Sequence, residues 1–253
     1  MVRNHKLIFF FLIIFMLSCS GKKDTRPEEI TDPEKAFIQA NELIEKKDFE
    51  KARAMLQEIK NRDLTRKIAP LAHLKIADSY IKEDEPELGI TEYKRFLEMY
   101  PDHQYAPYAQ YQIAMVYFNR IEDAERGRGD AVKAVEEFEK LKRLFPRNPY
   151  KDIIDSRIKK CRNIMAEYEY IVGKFYYKKG SYNAAIGRFE GLFKNYPDYK
   201  EEDAALFFTG MSYKRLGQKD KASEYLTRLI EKYPHHKLSD EARKELADLG
   251  SEK

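Results

Sequence analysis

The chain has 253 residues, of which 36% are charged, and it contains no Trp, 11 Gly and 10 Pro. This composition favours a highly charged helical protein and argues against a β-sandwich or a disordered chain. Lys and Arg exceed Asp and Glu only by 47 to 43, and acids and bases are interleaved. Because no basic stripe stands out, we expect no nucleic acid among the partners.

The first 18 residues have the organisation of a secretory signal. A basic stretch, MVRNHK, precedes the apolar run LIFFFLIIFML, whose eleven residues are too few to span a bilayer, since a spanning helix needs about 20. Cys19 directly follows Ser18, as in a bacterial lipobox, although Met16 and Leu17 stand where Leu and a smaller residue are usual. We predict a signal peptide over residues 1–18 and lipidation of Cys19. The alternative is an ordinary signal peptide with a chance cysteine.

Residues 19–32 follow as a polar segment without periodicity, which predicts a flexible tether behind the lipidated Cys. Lipidation of Cys19 would leave Cys161 as the remaining thiol, so no intramolecular disulfide is expected. Cys161 lies in a stretch with helical spacing, which favours a small buried residue over a reactive one.

The remainder of the chain repeats one pattern of residue sizes. In five copies that begin at residues 33, 70, 107, 166 and 203, positions 8 and 20 are Ala or Gly, positions 11, 24 and 27 are bulky, and position 32 is Pro in four. Small residues let two helices cross closely, even though Gly within a helix costs about 1 kcal/mol, and Pro ends the second helix. The pattern resembles the tetratricopeptide repeat of 34 residues. It predicts an all-α tetratricopeptide-repeat solenoid of five helix-turn-helix units.

The copies begin 37, 37, 59 and 37 residues apart. An eight-residue insertion around RIEDAERGRGD, which we expect to be a loop, explains part of the long interval. Fourteen more residues lie between Pro146 and Ala166, where helical spacing of apolar residues predicts an extended first helix in the fourth unit. We predict a capping helix over residues 238–249, because the last repeat of a solenoid leaves one face uncovered. The predicted organisation is repeats 1–3 over 33–146, the extended helix and repeats 4–5 over 147–235, and the capping helix and tail over 236–253.

Short motifs that suggest chemistry lack their companions. Ser79 and Ser156 each begin an S-x-x-K match, but no K-T-G motif accompanies them. Residues 128–130 spell a cell-attachment tripeptide inside the insertion, and the adjacent His235 and His236 do not have metal-ligand spacing. We therefore expect no catalytic residues, no metal site and no cofactor, and we do not expect an enzyme.

One apolar stripe suggests a binding groove. In a tetratricopeptide array, positions 2, 5, 9 and 12 of the first helix of each unit face the concave side. Because several of these positions are apolar in an otherwise charged protein, they predict a site for an extended or helical peptide. The alternative is that the extended helix of the fourth unit, or an N-terminal segment, folds over the stripe and buries it. The apolar groove candidates are Leu71, Leu74 and Ile81 in the second unit, with Asp78 between them, and Tyr108, Tyr111, Met115 and Phe118 in the third.

Two stretches, APYAQYQIAMVYF (106–118) and AEYEYIVGKFYYKKGSYNAAIGRFEGLFKNYPD (166–198), together with the N-terminus, resemble the BamD family. The resemblance covers residues 33 to about 235. It implies a scaffold subunit of the outer-membrane β-barrel assembly machinery, anchored by lipid at the periplasmic face of the outer membrane. The C-terminal repeats would dock on a periplasmic domain of the barrel-forming subunit. The N-terminal repeats would receive unfolded outer-membrane proteins, and accessory lipoproteins are further expected partners.

The family resemblance also implies a role for Arg188, the first residue of the R-F-E-G motif. In the family, such an Arg forms a salt bridge with the barrel-forming subunit, and a planar guanidinium suits a carboxylate partner. The alternative is an intramolecular pair with Glu190 or with a neighbouring helix. The alternative function is a different repeat lipoprotein, such as a secretin pilotin or an adaptor for cell-wall hydrolases.

Overall fold

The computed structural model describes residues 32–63 and 67–251, and within them it contains eleven α-helices and no strand. The predicted signal peptide, Cys19 and all of the predicted tether except Asp32 lie outside the described residues. The helices are α1 (Pro33–Glu45), α2 (Phe49–Arg62), α3 (Ala69–Lys82), α4 (Pro86–Met99), α5 (Ala106–Asn119), α6 (Ala124–Leu144), α7 (Lys151–Lys178), α8 (Tyr182–Asn195), α9 (Glu202–Arg215), α10 (Lys219–Lys232) and α11 (Lys237–Ser251).

Successive helices pack against one another along the whole array. The pairs α1–α2, α3–α4, α5–α6, α7–α8 and α9–α10 correspond to the five expected units, and α11 packs against α10 and α9 as the final helix. This architecture confirms the predicted helical tetratricopeptide-repeat solenoid. The predicted divisions at residues 146 and 235 fall in the turns that precede α7 and α11, and the division of the chain into domains there stays a prediction.

The small residues at positions 8 and 20 mark the close helix crossings. All ten are buried, and the contact leaves no room for a larger side chain in the fourth and fifth units. A Cβ atom on Gly173 would lie 2.6 Å from the ring of Phe189, and one on Gly210 would lie 2.7 Å from Leu226. The glycines and alanines of the repeat therefore serve helix packing.

The turn inside a unit has a recurring backbone conformation. Four of these turns contain a residue with positive φ, namely Lys47 (62°), Asp84 (66°), Gly180 (76°) and Gly217 (72°). Glycine adopts this left-handed conformation without strain, and Gly180 and Gly217 use it to end the first helix of the fourth and fifth units. The third unit has the eight-residue insertion at this place.

The insertion in the third unit is helical, so the expectation of a loop there was wrong. Asp123 caps α6, because its Oδ1 accepts a hydrogen bond from the Arg126 backbone N–H at 2.8 Å. Gly127 is buried, and an added Cβ atom would lie 2.9 Å from a methyl group of Ile121. Residues 128–130 consequently form part of the first turns of α6 rather than a cell-attachment loop.

Helix α7 has 28 residues and joins two parts of the array. Its first half packs on α5 and α6 through the buried Ile154, Ile158 and Cys161. Its second half packs on α8 and α9 around Ala166 and Tyr170. The extension predicted before residue 166 therefore forms one continuous helix with the fourth unit. Within the described ranges, no helix combines the length and the apolar character needed to cross a membrane.

Candidate partner-binding surfaces

Arg188 lies on α8, where its side chain is 42% exposed. Its Nη1 donates a hydrogen bond to Oε2 of Glu169 on α7 at 3.0 Å, and this bond raises the pKa of the guanidinium. Glu190 instead accepts hydrogen bonds from the hydroxyls of Tyr213 and Tyr225. In the free chain Arg188 is therefore paired with a neighbouring helix, while part of its guanidinium faces solvent.

The predicted groove residues of the second unit contribute mainly to helix packing. Leu74 is 5% exposed and belongs to the core between α3, α4 and α5, so it lines no open surface. Ile81 packs against the helix crossing at Gly89, and Leu71 is half-buried. These side chains contribute to packing because this side of α3 contacts α4 of the same unit and α5 of the next unit.

Asp78, which lies between these residues, is the centre of a polar contact. Its Oδ1 accepts hydrogen bonds from the hydroxyls of Tyr93 at 2.6 Å and Tyr108 at 2.9 Å. Burial raises the pKa of both phenols, with the carboxylate of Asp78 adding to the effect. Tyr108 therefore uses its hydroxyl to join the second and third units, and its ring remains half-buried.

The predicted stripe of the third unit lies against the first half of α7. Tyr111 stacks on Tyr150, with ring centres 4.1 Å apart, and Met115 and Phe118 pack beside the cluster that contains Ile158. Tyr111, Met115 and Phe118 are half-buried rather than buried, as is Tyr108. The extended helix thus contacts the stripe without burying it, so part of each of these side chains stays accessible, and the binding groove stays a prediction.

Two cations of α7 lie over this aromatic stripe. The guanidinium of Arg157 lies 5.3 Å from the ring centres of both Tyr111 and Phe118, and the ammonium of Lys160 lies 5.3 Å from the latter. Arg157 also donates to the Tyr111 hydroxyl, and burial lowers the pKa of its guanidinium. Its contacts within the described part of the chain are with rings and a hydroxyl rather than with a carboxylate.

A cleft of about 370 Å³ opens between α6, the first half of α7 and the turn after α8. Four of its charged side chains form two pairs: Nζ of Lys142 lies 2.8 Å from Asp155, and Nη2 of Arg162 lies 3.4 Å from Glu139. The remaining Lys159 and Asp198 have opposite charges as well, so the cleft has no strong preference for an ion.

The remaining motifs do not assemble into reactive centres. Among residues 32–63 and 67–251, no three His, Cys, Asp or Glu side chains are grouped to hold a metal ion. Ser79 is buried and donates its hydroxyl to the carbonyl of Ile76 at 2.7 Å, and His236 contacts Asp203 at 3.0 Å. Burial raises the pKa of the Cys161 thiol to about 11, so the thiol is protonated at neutral pH.

Sequence reasoning proposed Arg188 and the aromatic stripe as binding residues but did not name the groups that contact them. Glu169 is 19 residues from Arg188, and Arg157 is 46 residues from Tyr111. Neither pairing follows from local spacing, because each joins separate helices. The one available signal was the extension of α7, which places its charged residues beside the stripe.

Two solved tetratricopeptide-repeat structures align with this chain. The TPR2AB domain of yeast Sti1, solved as a complex with pHSP90, aligns with a TM-score of 0.47 and 16% identity, covering 87% of this chain and 86% of that chain. The P58(IPK) TPR domain aligns with a TM-score of 0.41 and 16% identity, covering 86% and 57%. The eleven helices and their pairing define the class: a tetratricopeptide-repeat protein.

Sequence comparison assigns the family. The profile of the YfiO outer membrane lipoproteins matches residues 30–226. The outer membrane protein assembly factor BamD of Rickettsia prowazekii is 29% identical over 237 residues, which are 92% of this chain and 93% of the relative. The proteins of the same name from Neisseria meningitidis serogroup A and Vibrio cholerae are 23% and 24% identical, covering 80% and 81% of this chain and 79% and 88% of themselves. The chain belongs to the BamD family of outer membrane lipoproteins.

Proposed function

We propose that this chain is the lipid-anchored scaffold subunit of the complex that assembles β-barrel proteins into the outer membrane. The observation that supports this most strongly is its similarity, along nearly its whole length, to relatives named outer membrane protein assembly factor BamD. In this role no covalent bond is made or broken. The protein is not an enzyme but holds other proteins at fixed positions beside the membrane.

The proposed anchor is a lipid on Cys19, which would hold the repeats at the periplasmic face of the outer membrane. Its support is the position of the cysteine directly after the apolar run. Cys19→Ser is expected to move the protein from the membrane fraction to the soluble fraction and to abolish incorporation of labelled palmitate. Retention of the variant in washed outer membranes would contradict this anchor.

The proposed docking surface for the barrel-forming subunit surrounds Arg188 on α8. Its support is the partial exposure of a guanidinium that donates a single observed hydrogen bond, to Glu169. A periplasmic domain of the barrel-forming subunit would supply a carboxylate to this surface. Accessory lipoproteins are further partners in this proposal, and they would bind the same scaffold elsewhere.

The proposed receiving site for unfolded outer-membrane proteins is the aromatic stripe of the third unit. Tyr111, Met115 and Phe118 are half-buried, and Arg157 and Lys160 lie over their rings. An unfolded chain offers apolar side chains and backbone carbonyls, which suit a surface with exposed aromatic edges and cationic donors.

The experiment that tests this function places a photo-crosslinking residue at position 188 in native membranes. The matched control is the same residue at Lys194, which is exposed on a different face of α8. We expect capture of the barrel-forming subunit from position 188 and not from 194. Capture of a secretin or of a cell-wall hydrolase instead would show that the chain is a different lipoprotein adaptor and would contradict the proposal.

A further inference from the structure

The carboxylate of Glu169 lies between two arginines from different helices. Its Oε2 accepts from Arg188 of α8 at 3.0 Å, and its Oε1 lies 3.5 Å from Nη2 of Arg128 of α6. One negative charge thus faces two positive charges. The nearby Glu190 is engaged by two tyrosine hydroxyls, so it does not compensate the second arginine.

Arg128 reaches this position because the insertion in the third unit is helical. The cap at Asp123 starts α6 early, and the added turns run beside α7 as far as Glu169. The guanidinium of Arg128 lies 5.1 Å from the ring centre of Tyr168, which fixes its direction. Its Nε is buried and has no hydrogen-bond partner among the described residues. Arg128, the first residue of the tripeptide at 128–130, is therefore held in a defined position by Tyr168 and Glu169.

The exposures indicate which group of the three is available to a partner. Glu169 is 13% exposed, whereas Arg128 and Arg188 are 41% and 42% exposed. Each guanidinium has five N–H donors and directs only one nitrogen at the carboxylate, so both retain donors that face outward. The inner carboxylate holds the two cations at one place, and their excess positive charge is presented to solvent.

We propose that Arg128 and Arg188 together form a binding site for one carboxylate side chain of the barrel-forming subunit, and that Glu169 competes with it as the internal occupant. This inference rests on the proposed function and adds Arg128 and Glu169 to the docking surface. The complementary charge of a carboxylate fits two outward-facing guanidinium groups. The neighbouring cleft, which Arg162 and Tyr196 help to line, offers space for further side chains of a folded protein partner.

The test measures the affinity of the full chain for the periplasmic domains of the barrel-forming subunit from the same organism. Arg128→Ala and Arg188→Ala are each expected to weaken binding by about fivefold to tenfold, because each removes one partner of a charged interfacial contact. The double variant should lose less than the product of the two, since both arginines bind the same carboxylate. The matched control is Arg126→Ala on α6, whose side chain is 77% exposed and pairs locally with Glu122; it should bind like the wild type.

The variant Glu169→Gln distinguishes two roles of Glu169: competing with the partner's carboxylate, or only holding Arg188 in place. If Glu169 is the internal occupant, loss of its charge frees both arginines and strengthens binding by about threefold. If Glu169 only holds Arg188 in place, the same change weakens binding and overturns the inference. Arg128→Lys keeps the positive charge but loses the planar guanidinium with its paired N–H donors. Its affinity should therefore lie between those of the alanine variant and the wild type. Thermal melting of each variant, followed by circular dichroism, checks that the fold is retained.

The outcomes distinguish this inference from the proposed function. If Arg188→Ala weakens binding and Arg128→Ala behaves like Arg126→Ala, the docking function stands and the two-arginine site is wrong. If the wild type does not bind the periplasmic domains, both are wrong. Equal binding of the wild type and the double variant to those domains, with loss of binding only to vesicles of anionic lipid, would assign the arginines to lipid headgroups and also overturn the inference.

Discussion

The two halves of α7 place their charged side chains in different surroundings. In the first half, Arg157 lies over two aromatic rings, and its contacts in the described chain include no carboxylate. Twelve residues later, Glu169 is a carboxylate between two arginines. At a rise of about 1.5 Å per residue, the two groups are about 18 Å apart along one helix.

The difference shows how one helix can serve two surfaces. At Arg157 the positive charge is held by rings in a partly dehydrated groove, which suits an extended chain with apolar side chains. At Glu169 the charges form ion pairs that a partner's acid can exchange, which suits a folded surface. Both places present excess positive charge, but among residues 32–63 and 67–251 only the second pairs it with a carboxylate, which we propose a partner's acid displaces.

The largest expected effect tests the packing of the first half of α7. Ile154 is 0% exposed in the cluster with α5 and α6, whereas its neighbour Ile153 is 45% exposed. Ile154→Ala should lower the free energy of unfolding by about 2–5 kcal/mol, because it removes buried methyl groups and leaves a cavity. Ile153→Ala should change it by less than about 0.5 kcal/mol. Urea unfolding measures both, and equal effects would show that α7 does not pack on α5 and α6.

The reactivity of Cys161 tests the same packing from a different direction. Because burial raises the pKa of this thiol from 9.0 to about 11, its thiolate population at pH 8 is reduced by about a hundredfold. In a chain that carries Cys19→Ser, alkylation by iodoacetamide should therefore be at least about a hundredfold slower in the native protein than in urea. Similar rates in the two states would place the thiol at the surface.

The helix crossing in the second half of α7 gives the next effect. Gly173→Ala should lower the free energy of unfolding by about 1–3 kcal/mol, because the new methyl group overlaps the ring of the fully buried Phe189. Gly187→Ala on α8 is the control, since beyond its chain neighbours and the local helix backbone no atom lies within 4 Å of its added Cβ. That control should gain up to about 1 kcal/mol from helix propensity. A stabilising Gly173→Ala would contradict the close crossing.

The smallest expected effect compares the two charged groups directly. Glu169→Met should lower the free energy of unfolding by about 1 kcal/mol, because it leaves Arg128 and Arg188 facing each other without an acid. Arg157→Met should change it by less than about 0.5 kcal/mol: the apolar stem still packs on the rings, no ion pair is lost, and the half-buried Tyr111 hydroxyl that loses its donor can bond to water. Thermal unfolding at low salt measures both, and a larger loss for Arg157→Met would mean that the ring and hydroxyl contacts of Arg157 stabilise the fold more than the ion pairs of Glu169 do.

The repeat positions explain why the fold could be predicted from the sequence. Residue size at fixed spacing reports the helix crossings, as at Gly173 and Gly210, and the prolines at 101, 146, 197 and 234 each follow a helix by two residues. The extension of α7 was visible because its apolar residues keep the helical period through the interval that separates the third and fourth units.

The helical insertion and the charge pairs could not be predicted in this way. Residues 124–131 have the Gly and charged composition of a loop, and they form a helix because Asp123 caps it and Gly127 fits against Ile121. The contacts of Glu169 join α7 to α6 and α8, so they depend on the packing of three helices. No periodicity within one helix reports such contacts.

The central claim is that α7 and its neighbours present two surfaces to two different partners. The most direct measurement places the same photo-crosslinking residue at Lys160 beside the aromatic stripe, or at Arg188, in native membranes, with and without synthesis of an outer-membrane protein. We predict that position 188 captures the barrel-forming subunit under both conditions, and that position 160 captures the new outer-membrane protein only during its synthesis. Capture of one and the same partner from both positions, independent of synthesis, would contradict the account.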